Sequence, residues 1–432
     1  MSSSPWAAPR AHAPVDADVE LPGSKSMTAR ALVIAALADG TSVVRRPLRS
    51  RDTELMAAGL RALGTDVSDR GDDWAVTGAA GRPASSNTAV DVGLAGTVAR
   101  FLPPVAALGV GDVTFDGDAR MRDRPIAPLI GALRSLGVSI TSDGARFPVT
   151  VHGSGGVRGG KVELDASTSS QLVSGLLLAA PRFAEGLRVR HVGPPMPSRP
   201  HIEMTVAMMR AAEAAVVERE PDVWHVAPGH YVAREVVVEP DLSGASAFLA
   251  AAVATGGVIR VPAWPRTTTQ PGAHLLSLLE RMGATVTIDD SGLTLRGPEH
   301  VEGIESDLRD CPEMTPALAA LAAIAVTPSR FTGVAHIRLQ ETDRVRAICV
   351  ELTRLGAEVE ELDDGLAITP RSLRGADLRA YDDHRLAMAW AVIGLVVDNV
   401  TVDDIATTAK TMPDFTRRWS AMLDGLSKVA GR

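Results

Sequence analysis

The chain has 432 residues, a formal charge of −8 and 45% hydrophobic content, so it is too long for one ordinary core and two domains are expected. The acidic balance excludes a nucleic-acid binder, whose mark is a basic excess, and no apolar run reaches the ~20 residues that a membrane span needs. Only Cys311 and Cys349 are present, outside any CxxC pair or His/Cys cluster, which argues against a zinc site or a disulfide framework and fits a reducing cytoplasm; no metal and no other cofactor is implied.

In chain order, Met1 to Pro14 lacks an apolar stretch and reads as a loose leader, not a signal peptide. Next comes Pro22-Gly23-Ser24-Lys25-Ser26-Met27-Thr28-Ala29-Arg30, a small-residue turn with an amine, hydroxyls and a guanidinium ahead of the apolar run Ala31 to Leu37. Such a turn offers free N–H groups at a helix N-terminus and suits a phosphate or carboxylate. It is not a P-loop, because no glycine lies five residues before Lys25. A plain capped helix with solvated charges is the alternative for this stretch alone.

The design recurs with a period of about 70 residues. A helix, glycine, strand phrase appears around Gly64, Gly137, Gly283 and Gly356, with a degenerate copy from Met209 to Val216 that has Glu213 at the glycine position. Glycine there suits a left-handed C-cap, and branched residues after it start a strand. A second phrase, a polar turn opening an Ala/Leu-rich helix, begins near Gly23, Leu94, Thr168, Leu242, Pro312 and Tyr381. Helices this apolar are expected to be buried on most sides. The chain therefore reads as α/β, with six β/α units divided three and three. The expected domains are 22–239 and 1–21 plus 240–432, with two chain crossovers if Val15 to Leu21 pairs with the C-terminal half. The helix N-termini are expected to converge on the cleft between the domains, making an anion-attracting gap in an acidic protein.

Seven motifs occur in one order: Gly23-Ser24-Lys25-Ser26 with Arg30, Ala95-Gly96-Thr97 with Arg100, Arg120 to Ile126, Ser169-Ser170-Gln171, Glu341-Thr342-Asp343-Arg344, Asp383-His384-Arg385 and Lys410 to Asp414. This series resembles the enolpyruvyl transferase family, over about Val19 to Asp414. The resemblance implies the family's inside-out α/β barrel of two domains, with the active site in the interdomain cleft. Within the family it points to the shikimate-pathway branch of aromatic amino-acid biosynthesis. That branch moves the enolpyruvyl group of phosphoenolpyruvate to the 5-hydroxyl of shikimate 3-phosphate and releases phosphate. It also implies a cytoplasmic monomer sensitive to glyphosate, with small-molecule substrates and no nucleic-acid or membrane partner.

Carried over position by position, the resemblance implies that Lys25, Ser26, Arg30, Ser169, Ser170, Gln171 and Ser198 bind shikimate 3-phosphate, together with Glu313 and Gln340. Lys25, Gly96, Arg124, Gln171, Arg344, Arg385 and Lys410 are implied for phosphoenolpyruvate; the planar guanidinium matches carboxylate and phosphate bidentately. Glu313 is implied as base at the 5-hydroxyl and Glu341 in proton transfer at the methylene, with Lys25 sharing that transfer. Glu313, Leu94, Gln340 and His201 depart from the residues frequent at these positions, which are aspartate, asparagine, lysine and tyrosine.

Singly, these residues have plainer explanations. Asp383-His384-Arg385 reads as a surface charge cluster, Thr342 and Asp343 as a helix cap, Arg120 to Arg124 as a solvated loop, and the cysteines as small buried hydrophobes. UDP-N-acetylglucosamine enolpyruvyl transferase is the sister reading, but the loop Asp118 to Pro125 has arginines and no cysteine. An inactive anion-binding paralogue is the reading from another class; it predicts loss of Lys25, Glu313 or Glu341, and all three are present. The two domains are expected to close on their anionic ligands.

Overall fold

The computed structural model describes residues 5–78 and 87–425. The chain forms two compact units, Gly23–Glu239 and Met1–Pro22 with Pro240–Arg432.

The unit 23–239 is built on α1 (Lys25–Leu37), α2 (Arg51–Ala62), α3 (Gly96–Ala106), α4 (Ala119–Arg122), α5 (Ala127–Ser135), α6 (Gln171–Ala179) and α7 (Pro200–Ala211). The helices α1, α3 and α6 are buried along nearly their whole length and pack on one another. Their composition explains this: Ala, Val and Leu recur on every side of each helix, leaving no face that prefers water. By contrast α2 opens with a Ser50/Thr53 capping box and keeps a polar face.

Three four-stranded sheets surround these helices, each in the order first-second-fourth-third along its repeat. In the second repeat Thr88–Gly93 and Val110–Gly117 pair in parallel across α3, and the hairpin of Ser139–Ser142 and Val149–Ser154 adds antiparallel strands. The third repeat copies this with Gly160–Leu164, Leu187–His191, Val216–Glu220 and Val223–Val226. In the first repeat the leading strand comes from the far end of the unit, since Glu235–Val237 lies parallel to Thr41–Arg45.

The other unit carries α8 (Ser246–Thr255), α9 (His274–Arg281), α10 (Thr315–Ala323), α11 (Arg344–Leu355), α12 (His384–Gly394) and α13 (Phe415–Leu423). Here α8, α10 and α12 are the buried set. Its first sheet again borrows a leading strand: Asp16–Asp18 pairs in parallel with Val258–Pro262. The sixth repeat is reduced to Asp377–Leu378, Thr401–Val402 and Trp6–Ala7. That last pairing corrects the reading of the N-terminal stretch as a loose leader. Residues 5–14 are tied down by Trp6–Ala7 against Thr401–Val402, by Ala8 N–H to Val400 O (3.0 Å) and by Ala11 N–H to Leu395 O (3.0 Å). Two strand residues are too few for a period-2 pattern to reveal.

The glycine phrases have the expected backbone: Gly64, Gly137, Gly283 and Gly356 have φ of 85°, 90°, 102° and 106°. Glu213 holds the same position with φ 67°, although a side chain there costs about 1–2 kcal/mol. Cys311 and Cys349 are buried, and burial raises both thiol pKa values, that of Cys349 to about 11.

Candidate functional site

In the unit 23–239 the N-termini of the three buried helices carry the polar turns. Ser24 caps α1, accepting from Met27 N–H at 3.4 Å, and so places Lys25 at the first helical position. The Lys25 Nζ reaches Asp52 Oδ2 at 3.2 Å; Asp52 lies in the first turn of α2 and is 2% exposed. Asp52 Oδ1 is buried with no hydrogen-bond partner among the described residues, which leaves this carboxylate directed at the lysine.

At the start of α3, Gly96 is enclosed by site side chains. A Cβ there would lie 2.9 Å from Gln171 Oε1 and 3.1 Å from both Arg100 Nη1 and Arg124 Nη2. The turn before α3, the loop after α4 and the start of α6 thus meet at one backbone position. Arg124 donates to Leu94 O at 3.1 Å. This contact uses the carbonyl of residue 94, so the departure at Leu94 leaves it available. Arg100 donates to Gly96 O (3.3 Å) and Pro125 O (3.0 Å). Gln171 Oε1 and Thr168 Oγ1 are buried acceptors without a hydrogen-bond partner among the described residues. Ser169 Oγ accepts from Gln171 N–H at 3.3 Å, and Ser170, 2% exposed, precedes α6 without a side-chain capping bond.

Arg30, Ser26, Ser198 and His201 form a linked group. Arg30 donates from Nε to Thr205 Oγ1 (2.7 Å), from Nη1 to Ser26 O (2.9 Å) and from Nη2 to His201 O (3.0 Å), with Phe101 beneath its guanidinium. At 1% exposure it ties α1 to α7, and burial pushes its pKa down to about 9, still cationic at neutral pH. His201 N–H donates to Ser198 O at 3.0 Å. Ser198 has φ 54°, a strained conformation for serine of the kind that clusters at ligand sites.

The second constellation lies in the unit containing 240–432. Asp383 caps α12, accepting from Arg385 N–H at 2.9 Å, and is fully buried. Its carboxylate takes Arg344 Nε at 2.5 Å and Nη2 at 3.3 Å, a bidentate pair at the start of α11. Arg344 Nη2 also reaches Glu341 Oε2 at 2.9 Å, and Lys410 Nζ reaches Glu341 Oε1 at 2.5 Å. Asp383, Arg344, Glu341 and Lys410 therefore form one chain of alternating charge, each side chain 8% exposed or less. Burial alone would lower the Arg344 pKa, but Asp383 and Glu341 outweigh it and hold the group above its ordinary value. Gln340 Oε1 accepts from Arg344 Nη1.

Glu313 sits just before α10. Its carboxyl accepts from Ser243 Oγ at 3.3 Å, and its backbone carbonyl accepts from Arg385 Nη1 at 3.4 Å. Burial pushes the Glu313 pKa up; Arg385, the Ser243 hydroxyl and Arg344 restrain that rise. Burial likewise lowers the Arg385 pKa, with Glu313 opposing the shift. A carboxyl raised this way is suited to accept a proton near neutrality.

The family model of EPSP synthase (3-phosphoshikimate 1-carboxyvinyltransferase) matches residues 9–419. The chain belongs to the EPSP synthase family. Two solved structures of EPSP synthase from Acinetobacter baumannii share its fold at 24% identity. One has a TM-score of 0.80 over 99% of this chain and 98% of that one, the other 0.79 over 100% and 99%. The fold is thus the two-domain inside-out α/β fold of EPSP synthases. The family reaction is that of the shikimate pathway: enolpyruvyl transfer from phosphoenolpyruvate to shikimate 3-phosphate. The UDP-N-acetylglucosamine reading is not favoured. Among the described residues no helix is long and apolar enough to cross a membrane.

Four polar residues that the sequence reading did not assign to the site also touch the two constellations. Asp52 faces Lys25, Asp383 holds Arg344, Ser243 donates to Glu313, and Arg100 approaches Gly96. Asp383 and Arg100 lie within quoted motifs, so proximity in sequence was a signal for them. Asp52 and Ser243 are 27 and 70 residues from their partners, and no local pattern links such positions.

Proposed function

We propose that this chain performs the EPSP synthase reaction with Glu313, Glu341 and Lys25 as its catalytic groups. The observation that carries this assignment is the Glu341 carboxylate, buried between Arg344 at 2.9 Å and Lys410 at 2.5 Å. Both cations can turn to an anionic substrate, and the carboxylate they release is then able to move a proton. The 5-hydroxyl oxygen of shikimate 3-phosphate attacks C2 of phosphoenolpyruvate while C3 gains a proton. Glu313 takes the hydroxyl proton. The Lys25 ammonium supplies the proton that reaches C3 through Glu341, one returns by the same route from the resulting methyl group as phosphate leaves, and the proton on Glu313 departs with the phosphate. Proton transfers by positioned groups contribute about 10²–10⁴-fold each, and fixed cations around the developing charge supply much of the rest.

In this reading Lys25, Ser26, Ser169, Ser170, Gln171 and Ser198 hold shikimate 3-phosphate. Arg30 belongs to the same group and keeps α1 and α7 in register for it. Gly96, Arg124, Gln171, Arg344, Arg385, Lys410 and Lys25 hold phosphoenolpyruvate. Gln340 lends its amide oxygen to Arg344, a service that a lysine cannot give, and offers its amide nitrogen to shikimate 3-phosphate. Glyphosate competes at the Gly96 side, and the enzyme works as a monomer in the cytoplasm.

The test is phosphate release from phosphoenolpyruvate with shikimate 3-phosphate, run beside UDP-N-acetylglucosamine. Release with shikimate 3-phosphate alone, abolished by Lys25→Ala and Glu341→Ala, is expected. Release with the nucleotide sugar, or none with either acceptor despite binding of shikimate 3-phosphate, overturns the reading.

A further inference from the structure

On the unit 23–239, away from the residues assigned above, a groove of about 1280 Å³ runs along the sheet of the third repeat. Lys161, Arg188 and His225 are direct neighbours on three adjacent strands. Adjacent strands lie ~4.8 Å apart, so the three side chains form a row across one face. Arg219 joins them from the fourth strand, where the register shifts between Glu218 and Glu220. Lys161, Arg188 and Arg219 have no ion-pair partner among the described residues, whereas nearby Arg158, Arg190 and Arg199 are each paired with an acid. Three unopposed cations along one wall are unusual in a chain of net charge −8. The opposing charges are Glu185, which Arg158 occupies at 2.8 Å, and Glu220 beside His225. Partial burial, then Arg219 and Arg188, hold the His225 imidazole below its usual pKa, so local positive potential is felt there.

The rest of the lining is apolar or backbone: Val217 (43% exposed), Ala227 and Pro228 on one side and the Gly159-Gly160 turn on the other. We propose that this groove binds a small polyanion joined to a flat apolar group, the chemistry of a nucleoside polyphosphate. The phosphates lie along the Lys161, Arg188, His225 row, where Lys161, Arg188 and the neighbouring Arg219 share successive charges and the His225 imidazole N–H donates, and the ring rests on Val217 and Pro228. The site is separate from the enolpyruvyl transfer machinery, so its test does not depend on that assignment.

Calorimetric titration with metal-free ATP on the full chain gives the answer. One site is expected, weakened at least tenfold in the Lys161→Glu/Arg188→Glu double variant and retained in Lys25→Ala. Binding should also weaken severalfold between about 50 and about 200 mM salt, as for exposed charges. An unchanged circular dichroism spectrum and denaturant-unfolding midpoint in the double variant show that it is folded; Arg219→Glu alone, which alters one bulged surface position, gives a second reading with the same direction. Adenosine binding as well as ATP, ATP binding undiminished in the double variant, or loss of ATP binding in Lys25→Ala overturns the proposal. Tripolyphosphate binding as tightly as ATP overturns the role of the apolar wall.

Discussion

The two constellations solve opposite electrostatic problems. In the unit 23–239 the guanidinium groups are held by neutral oxygens: Arg30 by the Ser26 and His201 carbonyls, Arg100 by Gly96 and Pro125, Arg124 by Leu94. Arg30 and Arg124 meet no carboxylate among the described residues, which suits capture of an anion. In the other unit the cations meet carboxylates, and Asp383, Arg344, Glu341 and Lys410 balance to zero. A neutral, buried array attracts no anion at long range, but it places carboxylates and cations where protons can be exchanged between them. One half of the chain thus holds guanidinium groups on neutral oxygens, and the other holds its cations on carboxylates.

The largest expected effect tests that contrast through stability. Arg344→Ala takes the guanidinium away from the buried Asp383 carboxylate and leaves Glu341 with Lys410, and should cost about 3–5 kcal/mol in denaturant unfolding. Arg124→Ala loses a carbonyl contact and should cost about 1 kcal/mol. Equal losses would break the comparison. Next, Gly96→Ala places a Cβ within 2.9–3.1 Å of Gln171, Arg100 and Arg124. Overpacking of this kind costs about 1–3 kcal/mol, so the phosphoenolpyruvate KM should rise about ten- to hundredfold with a smaller change in kcat. A pure kcat loss would move Gly96 from capture to chemistry.

A smaller effect concerns proton handling. The Ser243 hydroxyl donates to the Glu313 carboxylate and favours its charged form, so Ser243→Ala should raise the Glu313 pKa. Since the base acts deprotonated, the acid limb of the kcat/KM profile moves to higher pH; a limb that stays or moves down removes Glu313 from that role. The smallest is a control on the frame: Glu213→Gly relieves a left-handed side chain and should stabilise the protein by up to about 1 kcal/mol, with kinetics unchanged.

Much of this was legible in the sequence because it is locally coded. The glycine turns announce themselves through a backbone conformation few other residues tolerate, and the all-apolar runs after the polar turns announce burial. The truncated sixth sheet and the borrowed strands Asp16–Asp18 and Glu235–Val237 were not fully readable, since two or three residues carry no period and pairing at long range is decided by the whole sheet. The inward turn of Arg30 depends on α7, which lies about 175 residues further on. The acceptor role of Gln340 depends on which atom of Arg344 faces it, which residue type alone does not decide.

The borrowed strand has a consequence for the chain as it is made. The unit 23–239 can complete its first sheet as soon as Glu235–Val237 leaves the ribosome. The segment Asp16–Asp18 emerges before that unit, yet its partner, Val258–Pro262, is translated about 240 residues later. At about 5–20 residues per second that is an interval on the order of ten to fifty seconds. During it an unpaired strand edge must stay out of the sheets forming beside it. The acids Asp16, Asp18 and Glu20 bracketing Ala17 and Val19 keep that edge charged while it waits, until Val258–Pro262, the first of its sheet partners to be translated, arrives.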